Sequence, residues 1–96
     1  MADKAAGLLR QAGIDAWVDP EYGWDHGVFI PLKVMFPRAD IPVLAMSLQA
    51  GLDPDTHVAI GAALRPLRDD GVLVMGSGMS YHNLRQMGNA AAAQQF

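Results

Sequence analysis

Three histidines are the residues best suited to do chemistry in this chain, because imidazole gains or loses a proton near neutral pH. His26 lies between Asp25 and Gly27 in a glycine-rich, polar loop flanked by aromatic residues. Asp25 either orients the His26 ring, as carboxylates orient catalytic imidazoles, or caps a following helix. His82 comes four residues after Gly78, where it can act as an acid or base in a cleft or lie at the surface. His26 and His82 are therefore the candidate catalytic residues.

A glycine-rich turn, Gly76-Ser77-Gly78, follows an apolar run and precedes a predicted helix. Its backbone N–H groups are suited to bind an anion or a polarised oxygen. The turn lacks the third glycine of a dinucleotide-binding motif and the lysine of a phosphate-binding loop. The alternative interpretation is a tight turn between a strand and a helix.

The third histidine, His57, lies in the first turn of a predicted helix, on the side expected to face solvent. We interpret it as a surface residue. The chain has no cysteine and no His-Glu-x-x-His pattern, so thiolate sites are excluded and the remaining metal ligands are scattered. A complete metal site built from this one chain is not expected.

The composition places the 96-residue chain among small globular domains. With 51% hydrophobic and 18% charged residues, it is too apolar for a disordered chain and too interrupted by charge for a membrane span. A net charge of −3 argues against nucleic acid as a partner. Residues 1–10 contain an early acid and no continuous apolar stretch, so we expect no secretory signal and, by default, a cytoplasmic location.

The sequence contains capping residues typical of the N-terminal and C-terminal ends of helices. Gly13 can end an amphipathic helix in the left-handed conformation, Asp25 can cap a second helix, and Asp53 followed by Pro54 is a strong start for a third. The predicted helices run over residues 3–12, from Asp25 to before Pro37, from Asp53 with a kink near Pro66, and from about Tyr81, with a helix-permissive tail over residues 89–96.

Three apolar runs bounded by turn residues predict short strands at residues 14–19, 42–48 and 72–76. Helices that alternate with such strands indicate the α/β class, with a mostly parallel sheet flanked by helices. Ligands of such sheets bind beyond the carboxyl ends of the strands. This arrangement would place His26 and His82 on one rim of the sheet.

Two segments of the chain together carry a family resemblance. They are W-D-H-G-V-F-I-P-L at residues 24–32 and G-S-G-M-S-Y-H-N-L-R at residues 76–85, and between them lies F-P-R-A-D-I-P-V at residues 36–43. In their order along the chain they resemble the DHG-aromatic-x-PL, GSG-x-x-x-HN-[LM]-R and P-x-A-x-IPV segments of class III extradiol ring-cleavage dioxygenases, particularly the DOPA-dioxygenase-like branch. The resemblance covers most of the chain.

This resemblance implies an enzyme that opens a catechol ring beside one hydroxyl, with O2 and a non-haem Fe(II) or in some members zinc. His26 would contact the hydroxyl region of the substrate. His82 would act as the acid–base residue beside the metal or as a peripheral metal ligand. Asp25, Ser77 and Asn83 would contact the substrate. Proton transfer to and from a catechol near neutral pH is work that suits imidazole.

The chain also departs from the family pattern. The main metal ligands of the family lie upstream, in an HG segment and a second histidine segment, and downstream near the C-terminus, and none of these motifs is present. We therefore interpret residues 1–96 as a single partial domain that is incomplete as an isolated enzyme and that forms a homo-oligomer or binds a companion chain. The alternatives are a non-catalytic oligomeric or partner-binding α/β module derived from the family, and a small anion-binding protein.

Overall fold

The computed structural model describes residues 1–78, 85 and 87–94, without the side chains of residues 92 and 93. Within these residues the chain folds into four α-helices and one 3₁₀ helix joined by irregular segments. The elements are α1 (Ala2–Gln11), α2 (His26–Met35), α3 (Pro54–Leu64), a 3₁₀ helix (Arg65–Asp70) and α4 (Ala90–Gln94). The helix predicted from about Tyr81 falls almost wholly on residues outside the described part of the chain.

Helix α1 ends as its sequence predicts. Gly13 adopts a φ of +76°, the left-handed region that glycine enters without strain. The Gly13 N–H donates to the Arg10 carbonyl, and the Ile14 N–H donates to the Leu9 carbonyl, both at 3.0 Å. These two bonds form a Schellman motif, which satisfies carbonyls that the helix end would otherwise leave open.

Aspartate caps begin α2 and α3, as predicted. The Asp25 carboxylate accepts the Val28 N–H at 3.1 Å, and the Asp53 carboxylate accepts the Thr56 N–H at 2.8 Å. Each bond satisfies one of the N–H groups that the first turn of a helix leaves without a partner. Helix α2 ends at Met35, before Pro37.

The predicted distortion near Pro66 is a change of helix type. Helix α3 ends at Leu64, and the chain continues as the 3₁₀ helix from Arg65 to Asp70. Pro66 has no N–H and cannot continue the α-helical bonding pattern. Gly71, with a φ of +76°, then ends the 3₁₀ helix.

The core lies where α1 packs against α3 and the 3₁₀ helix. Its members are the buried apolar residues Ala5, Leu9, Ile60, Leu64 and Leu67. Ile14 and Val72 are partly buried against this cluster. An exposed ion pair between Lys4 and Asp70 joins α1 to the end of the 3₁₀ helix. The core therefore joins α1 to α3 and the 3₁₀ helix but holds few large side chains.

The predicted sheet is absent from the described residues. Residues 14–19, 42–48 and 72–76 are neither helical nor paired as strands, so the expectation of an α/β fold with a parallel sheet is wrong. Their apolar character suits a buried strand, but a strand also needs a neighbour whose backbone completes its hydrogen bonds. Leu44 and Val74 are instead 48% and 59% exposed. The described chain is a set of helices joined by irregular apolar segments.

An open groove of about 740 Å³ runs beside the core. Its walls come from the buried side of α1, from the irregular residues after Gly13 and from the segment before α3. Both irregular segments therefore face the same space. None of the described helices has the length and apolar character required to cross a membrane.

Candidate functional site

The N-terminus of α2 presents His26. Asp25 is the N-cap, and its Oδ1 atom accepts the Val28 N–H, so the carboxylate holds the first turn of the helix. Of the two roles open to Asp25 in the sequence, the structure shows the cap. His26 is thereby fixed as the first residue of a regular helix, and the position of its backbone is well defined.

The His26 side chain lies at the surface, against a neighbouring aromatic ring. The centroids of the His26 and Phe29 rings are 4.9 Å apart, and the ring planes are inclined at 44°. The two residues are three positions apart, so they share a face of the helix. Within the described part of the chain, no hydrogen bond uses the ring nitrogens of His26, which leaves them accessible to a ligand in solvent.

A single long-range hydrogen bond joins the two motif segments. The Ser77 hydroxyl donates to the Gly27 carbonyl at 2.5 Å, across 50 positions in the sequence. The Gly76–Gly78 turn therefore lies against the start of α2, directly beside His26. A Cβ atom at Gly27 would lie 3.2 Å from Asp25 Oδ1, a tight contact with the capping carboxylate, and 3.8 Å from Ser77 Oγ, an ordinary van der Waals distance.

Two of the predicted site residues, His82 and Asn83, lie outside the described residues. The predicted catalytic role of His82, its peripheral role toward a metal, and the substrate contact of Asn83 therefore stay predictions. The structure brings together Asp25, His26 and Ser77 from the predicted set.

His57 has surroundings that the sequence analysis did not anticipate. It is half-buried, and both of its ring nitrogens meet the backbone. Nε2 accepts the Gln49 N–H at 3.2 Å, so Nδ1 carries the proton of the neutral ring and donates to the Asp53 carbonyl at 2.6 Å. His57 therefore fastens the preceding turn to the start of α3. A signal for this role was available, since His57 follows the cap residue Asp53 by four positions, one helical turn.

The Asp53 carboxylate, the N-cap of α3, has a lowered pKa. Hydrogen bonds from the Thr56 hydroxyl and from the Thr56 N–H lower the pKa of Asp53. These donors favour the charged carboxylate. The effect belongs to the helix cap and lies apart from the His26 region.

The described residues do not fit a metal centre. Across residues 1–78, 85 and 87–94, no group of three or more His, Asp or Glu side chains is placed to hold a metal ion. The cap uses one carboxylate oxygen of Asp25 and both nitrogens of His57 bond to the backbone, so His26 is the described histidine whose ring nitrogens are open. A catalytic non-haem metal needs several protein ligands together with open positions.

Comparison with known proteins identifies the family. The model of the catalytic LigB subunit of aromatic ring-opening dioxygenases matches residues 1–96. A dioxygenase of Hapsidospora irregularis is 48% identical over 89 residues, which are 91% of this chain and 28% of that protein. The 4,5-DOPA extradiol dioxygenases of Beta vulgaris and Escherichia coli are 43% and 39% identical over 83 and 86 residues. No solved structure matches the chain.

The matches cover most of this chain but only a small part of each relative. The alignments to the Beta vulgaris and Escherichia coli enzymes cover 85% and 88% of this chain, but 31% of each enzyme. The chain thus spans less than a third of the length of these relatives. Enzymes of the family are non-haem metal dioxygenases that act on an aromatic substrate with O2. The chain belongs to the family of catalytic LigB subunits of aromatic ring-opening dioxygenases.

Proposed function

We propose that this chain supplies the His26 side of an extradiol site that opens catechol rings with O2. The observation that carries the proposal is the hydrogen bond from Ser77 to the Gly27 carbonyl, because it brings the two motif segments of the family to one place. The exposed imidazole of His26 at this junction is available to a substrate hydroxyl. Two segments with independent family resemblance that meet in space argue for a shared site.

In this proposal His26 contacts the catechol and exchanges a proton with one of its hydroxyl groups. Imidazole is suited to this exchange near neutral pH. Asp25 and Ser77 contribute contacts to the substrate: the cap occupies one carboxylate oxygen of Asp25, and the Ser77 oxygen retains acceptor capacity after donating its proton. His82 is the second acid–base residue, and Asn83 a further substrate contact.

The metal, when bound, supplies the site at which O2 and the aromatic substrate are activated. We propose Fe(II), with zinc as the alternative occupant, and we place its main protein ligands on polypeptide other than these 96 residues. The proposal follows from the sequence, in which the family's upstream histidine segments and its downstream ligand motif are not present. His82 remains a candidate for a peripheral contact.

We further propose that the chain works as a homo-oligomer or with a companion chain, in the cytoplasm. The support is the large apolar surface of the irregular segments, which water contacts in the isolated chain. Extended apolar patches on soluble proteins mark surfaces that bind other polypeptides.

The first experiment supplies the isolated chain with Fe(II), O2 and a catechol and follows the yellow semialdehyde product in visible light. We expect little or no cleavage, because His26 and His82 cannot be both the metal ligands and the acid–base groups. A metal-free sample and the variant His82→Ala are the controls. Strong colour that disappears in His82→Ala would contradict the proposed division of the site.

The second experiment tests whether this chain carries a competent half of the site. The matching segment of the Escherichia coli relative is replaced by the full 96-residue chain, and ring cleavage by the chimera is measured. We expect activity that falls sharply in His26→Ala and in His82→Ala but persists in His57→Ala, a histidine committed to backbone bonds. A soluble, metal-loaded chimera without activity would favour the non-catalytic module instead.

A further inference from the structure

Helix α2 contains an internal proline that leaves one of its carbonyl groups without a helical partner. In an α-helix the carbonyl of each residue accepts the N–H of the residue four positions later. For Gly27 that residue is Pro31, which has no N–H. The Gly27 carbonyl therefore needs a donor from outside the helix or from water.

The donor is the Ser77 hydroxyl. It reaches the Gly27 carbonyl from a turn 50 positions away. A proline ring in a helix also crowds the carbonyl four residues before it, which favours a carbonyl that turns outward to an external donor.

We propose that Ser77 is a positioning residue: its hydroxyl replaces the backbone donor that Pro31 lacks, and so it fastens the Gly76–Gly78 turn to the start of α2 beside His26. Pro31 and Ser77 then act as a pair: Pro31 leaves the Gly27 carbonyl without a helical donor, and Ser77 donates a hydrogen bond to it. The hydrogen-bond pairing stands on the geometry alone. Its significance for catalysis rests on the proposed function, because the fastened turn leads directly into the segment that contains His82.

The pairing makes a specific prediction about non-additivity. With Pro31 present, loss of the Ser77 hydroxyl leaves the Gly27 carbonyl to water. With alanine at position 31, a backbone N–H is restored and can bond to the same carbonyl within the helix. Removal of the Ser77 hydroxyl should therefore matter in the natural chain and matter much less in the Pro31→Ala background.

The experiment measures the carbonyl ¹³C shift of Gly27 through its correlation with the Val28 amide in the full chain labelled with ¹³C and ¹⁵N. We expect an upfield shift in Ser77→Ala, because the carbonyl loses a donor, and a shift close to that of the natural chain in Ser77→Thr. In the Pro31→Ala background, Ser77→Ala should cause a much smaller change. An unchanged Gly27 shift in Ser77→Ala with Pro31 present, or equal changes in both backgrounds, would overturn the proposal.

The consequence for catalysis is tested separately in the chimera described above. Ser77→Ala should lower kcat more than it raises KM, and Ser77→Thr should restore most of kcat, because threonine keeps the hydroxyl. A loss confined to KM would leave Ser77 as a substrate contact only and overturn the positioning role. A chimera inactive before any substitution would count against the proposed function alone, since the Gly27 shift in the isolated chain decides the pairing.

Discussion

The packing of α1 against α3 can be tested by removing one large side chain from the core. Leu64 is 5% exposed and belongs to the cluster formed with Ala5, Leu9, Ile60 and Leu67. Leu64→Ala removes three carbon atoms from this cluster and leaves the backbone of α3 with a residue of higher helix propensity. The substitution therefore isolates the contribution of packing.

Burial of each carbon contributes about 0.8 kcal/mol, so the loss of three carbons costs about 2.4 kcal/mol before any cavity is considered. Leucine-to-alanine substitutions in closed cores cost about 2–5 kcal/mol. Here Leu9 and Ile60, which pack in the same cluster, also line the open groove, so the site can relax or admit water. We expect a loss of about 2–3 kcal/mol, near the lower end of that range.

The assay is urea unfolding followed by the far-ultraviolet circular dichroism of the helices. The indole rings are poor reporters because Trp17 is 81% exposed. Val58 lies on the same helix at 71% exposure, and Val58→Ala is the matched control, expected to change the free energy of unfolding by less than about 0.5 kcal/mol. Equal costs for Leu64→Ala and Val58→Ala would refute the assignment of the core.

Three further predictions concern acid stability, glycine substitution and assembly. Folding lowers the pKa of Asp53 from its ordinary value of 3.8, so the charged cap stabilises α3 fully when the pH is above that ordinary value. This stabilisation is lost as the pH falls through the lower pKa of the folded state. Asp53→Asn keeps a capping side chain but should remove this component from an acid titration of helicity, and an unaltered titration would contradict the assignment. Gly61→Ala should raise the free energy of unfolding by about 0.5–1 kcal/mol because nothing lies within 4 Å of a Cβ atom there, whereas Gly27→Ala, with Asp25 Oδ1 at 3.2 Å, should give no such gain in urea unfolding. Light scattering at micromolar concentration should show an oligomer, and a monodisperse monomer would contradict it.

The helices were predictable because their signals are local. The cap at Asp25 joins residues three positions apart, and the Schellman motif at Gly13 joins residues three to five positions apart. Such bonds depend on residue type and backbone conformation within one turn. The same is true of Pro66, where a missing N–H is enough to change the helix type.

The lack of paired strands in the described chain was not predictable from the sequence. An apolar run shows that a segment suits a strand, but it does not show whether a second segment lies beside it to complete its hydrogen bonds. Residues 42–48 and 72–76 have the composition of buried strands, yet in the described chain they have no neighbouring strand and their side chains meet water. The residue types of a segment determine which surroundings suit it. Whether those surroundings exist depends on which other segments lie beside it. The error in fold class therefore arose from long-range pairing and left the local helix boundaries unaffected.

The site shows the same division between local and long-range information. Asp25 and His26 could be placed at a helix start from their neighbours alone, whereas the contact between Ser77 and Gly27 spans 50 positions. Yet the sequence predicts part of this contact. In a helix that begins at His26 with a proline at its sixth residue, the Gly27 carbonyl has no backbone N–H four positions later to accept. An open carbonyl beside a candidate catalytic residue calls for a donor, and a hydroxyl in a second motif is a natural source. Missing backbone donors can thus direct the search for long-range contacts in a single sequence.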